Sequence, residues 1–312
     1  MSPSFERLGA IRQALENVLL GKGTTVRLAL AGLLAGGHLL LEDLPGVGKT
    51  TLAQALARVF GLDFGRVQGT NDLLPSDLLG LSVYDEARRE LRFVPGPIFH
   101  QVLLADELNR ASPKTQSALL EAMAERQVTV DGISHPLPEP FCVIATQNPL
   151  EQVGTYPLPE SELDRFLLRL EIGYPPPQVE KRLLAGEGGT AALSALRPLA
   201  DPKELRVWQA EVRSLAVREA LLDYVLALVQ ETRTHPGVRL GLSPRGGLAL
   251  LAAARAHAFL AGREFVQPDN VRVYSRQEFD RLYVFRHQVD PSQPLEVVTS
   301  RITHAADEWE VI

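Results

Sequence analysis

The chain has 312 residues, 45% hydrophobic and 22% charged, a balance that excludes disorder throughout and, at roughly 150 residues per domain, leaves room for two domains. Its 38 acidic against 32 basic side chains give a formal net charge of −6, which disfavours a nonspecific binder of nucleic acid. A single cysteine, Cys142, cannot close an internal disulfide and points to a reducing compartment.

The first twenty residues carry Glu6, Arg7, Arg12 and Glu16 where a signal peptide needs its apolar run, and they lack a small-residue cleavage site. They predict an amphipathic helix of the mature protein. The most apolar stretch, Leu28 to Leu41, is interrupted by Gly36, Gly37 and His38 and is shorter than the about 20 residues that cross a bilayer. The expectation is a cytoplasmic protein with no integral membrane segment. Further along, short apolar runs alternate with helical patterns: HLLLED (38–43), FGRVQG (64–69), VLLADE (102–107), FCVIATQ (141–147) and FLLRLEI (166–172). Strands spaced by helices imply an α/β domain with a parallel sheet and crossover connections. Residues 80–97 alternate apolar and polar side chains about a polar centre at Asp85 to Arg89 and read as a β-hairpin. The prolines of YPPPQ (174–178) fix φ and remove donors, and GEGGTAALSALRPLADP (186–202) is rich in breakers, so residues 176–202 are expected to be a linker. From Lys203 the periodicity is helical. The expected organisation is an α/β core over 1–175 and a smaller all-α domain with a tail over 203–312.

The chemistry begins at LEDLPGVGKTT (41–51), between an apolar strand and a helix, the context that a phosphate-binding P-loop requires. Gly46 and Gly48, flanking Val47, lack Cβ atoms, so backbone N–H groups can close around phosphate oxygens at the start of the helix. Lys49 would reach the β and γ phosphates of ATP, the hydroxyl of Thr50 would bind Mg²⁺, and Thr51 completes the turn. The pattern G-x-x-x-x-G-K-[ST] departs at Asp43, which stands where the first glycine is expected; aspartate tolerates left-handed backbone better than most residues. VLLADE ends in two carboxylates at the sheet edge where open α/β sheets bind ligands. Asp106 is placed to hold the hydration shell of Mg²⁺, and Glu107 to polarise a water for attack on the γ phosphate. Asn148, delivered to the same edge by FCVIATQ, can donate to a phosphate oxygen and accept from that water, although an asparagine before Pro149 is also the pattern of a plain turn.

The P-loop, GPIFHQVLLADELNRASPKTQSALLEAMAERQVTVDG (96–132), PEPFCVIATQNPLEQVGTYPLPESELDRF (138–166) and SPR (243–245) together resemble the MoxR family of AAA+ ATPases, from about Gly21 to about Asn270. In that family a P-loop of the form E-x-x-P-G-x-x-K-T is typical, so Asp43 is no anomaly. The resemblance implies a P-loop AAA+ core whose parallel sheet is sandwiched by helices, a helical lid, and a hexameric or similar ring with ATP held between neighbours. It implies that Arg165 of LDRF is an arginine finger acting on the neighbouring subunit's nucleotide and that Arg245 of SPR senses the γ phosphate in its own subunit. A planar guanidinium suits charge spread over equatorial oxygens. An ion pair with Asp164 or Glu160 is the plainer fate of Arg165, a simple helix start that of Arg245, and Arg110 is a competing interface arginine. The resemblance also implies that the hairpin at 80–97 is an insertion in the second helix of the core and that RQVTVDGISHPLPEPF (126–141) forms a second hairpin before the Asn148 strand.

The seven histidines, His38, His100, His135, His235, His257, His287 and His304, show no metal-ligand spacing. Cys142 sits in an apolar strand as a small hydrophobe, and Trp208 and Trp309 are too isolated for a base-stacking platform. After VQPDNVR (266–272) the segment VYSRQEFDRLYVFRHQV is longer and more aromatic than the family pattern, and the short acidic ITHAADEWEVI reads as a frayed tail or a docking segment. The expected function is Mg²⁺-dependent ATP hydrolysis driving chaperone-like remodelling; the resemblance implies partners with von Willebrand factor type A domains and roles in activating enzyme complexes or inserting metal into them. The alternatives are a nucleic-acid motor and a nucleotide-gated binding module with little turnover.

Overall fold

Leu8, Ile11, Leu15 and Val18 recur at three- and four-residue intervals, so they share one face of α1 (Pro3–Val18), and all four are buried. The fold was obtained as a computed structural model that describes residues 3–149, 153–234 and 241–272. His235, His287, His304, Trp309 and the aromatic and acidic C-terminal segments fall outside the described residues, as does the side chain of Glu160. α2 (Gly23–Leu34), apolar almost all round, lies beneath the sheet, and β1 (Leu39–Glu42) follows it.

Beyond β1 the chain alternates α3 (Lys49–Val59), β2 (Phe64–Gln68) and α4 (Pro75–Leu79). A hairpin of β3 (Gly80–Asp85) and β4 (Glu90–Pro95) precedes β5 (Val102–Asp106) and α5 (Pro113–Glu125). A second hairpin, β6 (Gln127–Val130) and β7 (Ile133–Pro136), leads to β8 (Cys142–Gln147), α6 (Glu160–Leu163) and β9 (Leu168–Leu170). β2, β5, β8, β1 and β9 pair in that order, all parallel. Alternate side chains of a strand face opposite sides of a sheet. Leu39 and Leu41 accordingly join the apolar cluster under α1, α2 and α3, while Leu40 joins the cluster under α4 and α5. Burial on both faces is what makes these strands continuous apolar runs.

The second hairpin turns through Asp131 and Gly132, both at positive φ (52° and 78°), the backbone that matches the twist of a two-residue turn. Phe93 of β4 stacks on His135 of β7 at 3.9 Å, so the two hairpins brace each other, and Leu81, Val83, Tyr84, Leu91 and Val94 remain exposed on the first.

Residues 176–202 are not the plain linker expected. They hold α7 (Pro177–Leu184) and α8 (Gly189–Ala195), because Pro176 and Pro177 fall at the N-cap and first turn, where a fixed φ and a missing N–H favour a helix. α9 (Pro202–Ser214) starts from a capping box of Asp201 and Glu204; α10 (Glu219–Thr234), α11 (Pro244–Leu260) and α12 (Pro268–Arg272) complete the helical part. Its apolar faces, Leu205, Trp208, Leu228 and Leu250 among them, are continuous with the cluster under α1 and α2.

Candidate active site

The loop from Asp43 to Gly48 joins β1 to α3 at the C-terminal end of the sheet. Gly46 and Gly48 stand at φ 83° and 104°, and a Cβ at either would meet nothing within 4 Å; glycine is needed there for its backbone freedom, and the concave side of the loop is open. α3 begins at Lys49, so its first-turn N–H groups have no partner within the helix.

A cavity of about 310 Å³ is lined by Pro45, Gly46, Gly48, Lys49, Thr50, Thr51, Asp106, Glu107 and Asn148. The residues expected from the P-loop, the carboxylate pair and the β8 edge therefore meet in one place. The Nζ of Lys49 donates to the carbonyl oxygens of Asp43 at 2.5 Å and Gln147 at 3.4 Å. Asp106 accepts from Thr146 Oγ1 at 2.6 Å on Oδ1 and from Arg66 Nη2 at 2.7 Å on Oδ2. Since a carboxylate offers about four lone-pair sites, two remain for a cation's water shell. With the Thr50 hydroxyl, this all-oxygen set suits a hard divalent cation such as Mg²⁺. Glu107 has left-handed backbone (φ 51°, ψ 48°), an uncommon conformation for a residue with a side chain, and its N–H donates to Thr146 Oγ1 at 2.8 Å. Thr146 thus fixes both acids. Gly69 permits this turn, because a Cβ there would lie 2.3 Å from the Glu107 carbonyl oxygen. Arg110 pairs with Glu107 of its own chain at 3.5 Å.

Asp43 is not in left-handed backbone, which corrects the reason first given for its place in the loop. Its buried carboxylate accepts from the N–H groups of Ile172 (2.6 Å) and Gly173 (2.5 Å) on Oδ2 and of Leu44 (2.8 Å) on Oδ1. The start of the P-loop is thereby tied to the segment that leaves β9 for α7. Glu42, one residue earlier, forms a buried ion pair with Arg169 of β9.

On the other side of the P-loop, sharing Gly46, Gly48 and Thr51 with the first cavity, lies a second of about 430 Å³ with Val47 in its wall. Val18, Leu19, Tyr174, Leu183 and Leu184 make it more apolar, as a flat heteroaromatic ring requires. The sequence carried no local signal for it, because its walls come from the end of α1, the Tyr174–Pro175 segment and α7. Thr146 and Arg66 were also missed; the signal was a polar residue inside each of two apolar runs.

The two expected arginines lie elsewhere. Arg165 donates from Nη1 to the carbonyl oxygen of Leu120 on α5 at 2.6 Å and lines neither cavity. Its neighbour Asp164 accepts from Ser243 Oγ at 3.0 Å, which joins the core to the N-cap of α11. Arg245, in the first turn of α11, is exposed and lines neither cavity. Buried His38 accepts the Val143 N–H on Nδ1 at 2.9 Å, and desolvation holds its pKa down at about 3; burial pushes the Cys142 thiol up to about 12. Among the described residues no group of three or more His, Cys, Asp or Glu is placed to hold a metal ion, and no helix is long and apolar enough to cross a membrane.

Two family models match the chain: the ATPase family associated with various cellular activities (AAA) over residues 38–168 and the AAA lid domain over residues 230–276. The protein YeaC of Bacillus subtilis is 48% identical over 85% of this chain and 83% of its own length. Chaperone MoxR1 of Mycobacterium tuberculosis is 42% identical over 82% of this chain and 70% of its own, and Protein MoxR of Paracoccus denitrificans 37% identical over 83% of each. A solved structure from Cytophaga hutchinsonii, described by inference as an ATPase, superposes with a TM-score of 0.84 at 31% identity, covering 99% of this chain and 96% of that one.

Proposed function

This chain belongs to the MoxR family of AAA+ ATPases, and from that premise we propose that it hydrolyses ATP at the 310 Å³ cavity and uses the cycle to remodel a partner protein. The observation that carries the proposal is the convergence of Lys49, Thr50, Asp106, Glu107 and Asn148 on one open loop at a helix start.

In this reading Lys49 leaves the carbonyls of Asp43 and Gln147 for the β and γ phosphates, and the glycine loop supplies N–H donors to the same oxygens. Thr50 and Asp106 would hold Mg²⁺, which when bound would supply positive charge against the charge that develops on the phosphate. Glu107, aimed by its left-handed backbone and by Thr146, accepts the proton of the attacking water, while Asn148 orients that water. The apolar cavity takes the adenine. Because Arg165 lies outside its own chain's cavities, action on a neighbouring copy in a hexameric ring fits it better than action in cis. Arg245 would reach the γ phosphate only after the lid moves, and that movement is the step by which nucleotide state biases the lid. The exposed apolar side chains of the first hairpin, Leu81, Val83 and Val94 on one face and Tyr84 and Leu91 on the other, are the surface offered to a client. Its partners in the cytoplasm carry von Willebrand factor type A domains, and the cycle activates enzyme complexes or inserts metal into them; the name of the relative Chaperone MoxR1 supports remodelling of proteins.

The test is phosphate release by the purified chain and by Glu107→Gln. Loss of a positioned general base costs about 10²–10⁴ in rate, so the variant should retain nucleotide but stall, and proteins held by the stalled form are the clients. Unchanged turnover in Glu107→Gln would refute the role of the base.

A further inference from the structure

A cavity of about 700 Å³ lies at the opposite end of the sheet from the P-loop, where the strands begin. Gly36 and the Glu139–Pro140 segment, which precede β1 and β8, form one wall; the exposed stripe of α9, with Lys203, Arg206 and Arg213, forms the other. Arg126, the left-handed C-cap of α5 at φ 56°, is the fourth cation lining it. Among the described residues, four cations thus face one carboxylate, in a chain whose net charge is −6.

Arg126 is held in place, with Nη1 donating to the Phe141 carbonyl at 3.0 Å and Nη2 to the Gly36 carbonyl at 2.7 Å. Its guanidinium lies 5.9 Å from the centre of the Phe141 ring. Partial burial, followed by the like charge of Arg213, lowers its pKa from the ordinary guanidinium value, while Cys142 and Glu139 oppose the shift. The single carboxylate, Glu139, pairs with Arg206 at 2.9 Å, and both side chains are exposed, so the pair is open to exchange.

From this we infer that the groove between α9 and the start of the sheet is a docking site for an extended acidic segment of a partner protein. The length of the stripe favours a peptide over a small anion. Arg213 lies ten residues beyond Lys203, about 15 Å along the helix, which one phosphate cannot bridge and four or five residues of extended chain can. Among the described residues the groove offers no aromatic surface for base stacking, since Trp208 and Phe141 are both buried, so a nucleic acid fits it less well. The site holds whether or not the P-loop turns over nucleotide, and the two readings fail separately.

Anisotropy titration of a fluorescein-labelled octaglutamate peptide with the full chain at low ionic strength tests it. We expect saturable binding that weakens with added salt and is at least about tenfold weaker in Arg206→Glu/Arg213→Glu. The Gln pair at these positions should show an intermediate loss, with the phosphate-release rate and native size unchanged in both variants. Equal binding by parent and variants overturns the proposal, as does displacement of the peptide by inorganic phosphate or by oligo-dT at lower concentration than by unlabelled peptide. Altered oligomeric state in the variants would make the groove a contact between copies and also overturns it.

Discussion

Replacing Asp43 tests whether the P-loop is anchored as the structure shows. Its carboxylate accepts three backbone N–H bonds, and the Ile172 N–H is buried. Bonds to a charged acceptor contribute about 1.5–3 kcal/mol each, and removing the acceptor strands its donors. Asparagine keeps one oxygen but turns an NH₂ towards an N–H, so Asp43→Asn should lose about 2–4 kcal/mol, and Asp43→Ala, which strands all three donors, somewhat more. In a chain of this size that corresponds to a fall of about 4–8 °C in melting temperature for the asparagine variant. Because Ile172 and Gly173 lead into Tyr174 and the apolar cavity, nucleotide affinity should fall in parallel. Differential scanning fluorimetry and urea unfolding, each with and without ATP, measure both effects. Melting within about 1 °C of the parent for both variants would refute the anchoring.

His38 stays neutral in the fold and takes up a proton once unfolded, where its pKa returns to about 6.5. The unfolded state therefore gains protons first, and stability falls with acidity from about pH 6.5 downward, by about 2 kcal/mol between about pH 7 and pH 5. Urea unfolding of His38→Gln should lack that part of the slope; identical slopes would contradict the burial. Arg165→Ala should lose ATPase activity, and mixing it with inactive Lys49→Ala subunits should restore part of it, because the mixed seam joins an intact P-loop to an intact arginine. No recovery at any ratio would show that Arg165 does not act across subunits.

The sheet was legible because its strands are apolar runs buried on both faces, and the first hairpin because its side chains alternate about a polar turn; the second, with its turn at Asp131–Gly132, was reached only through resemblance. The cavity residues were legible because a P-loop fixes its own geometry over a few residues. Asp43 was visible as a departure from the glycine pattern, but its partners lie some 130 residues on at the end of β9, and no local rule predicts such a contact. α7 and α8 were hidden by prolines and glycines that break a helix internally yet start or flank one here. Arg165 and Arg245 stand apart from the cavities in a single chain, and the sequence reached them only through resemblance.

The central claim is that the loop at Lys49 grips a nucleoside triphosphate beside Asp106 and Glu107. Calorimetric titration of the folded chain with ATP and magnesium measures it directly. One saturable site per chain is expected, lost in a Lys49→Ala variant that melts like the parent. No heat of binding up to millimolar ATP, or the same isotherm from Lys49→Ala, would contradict it.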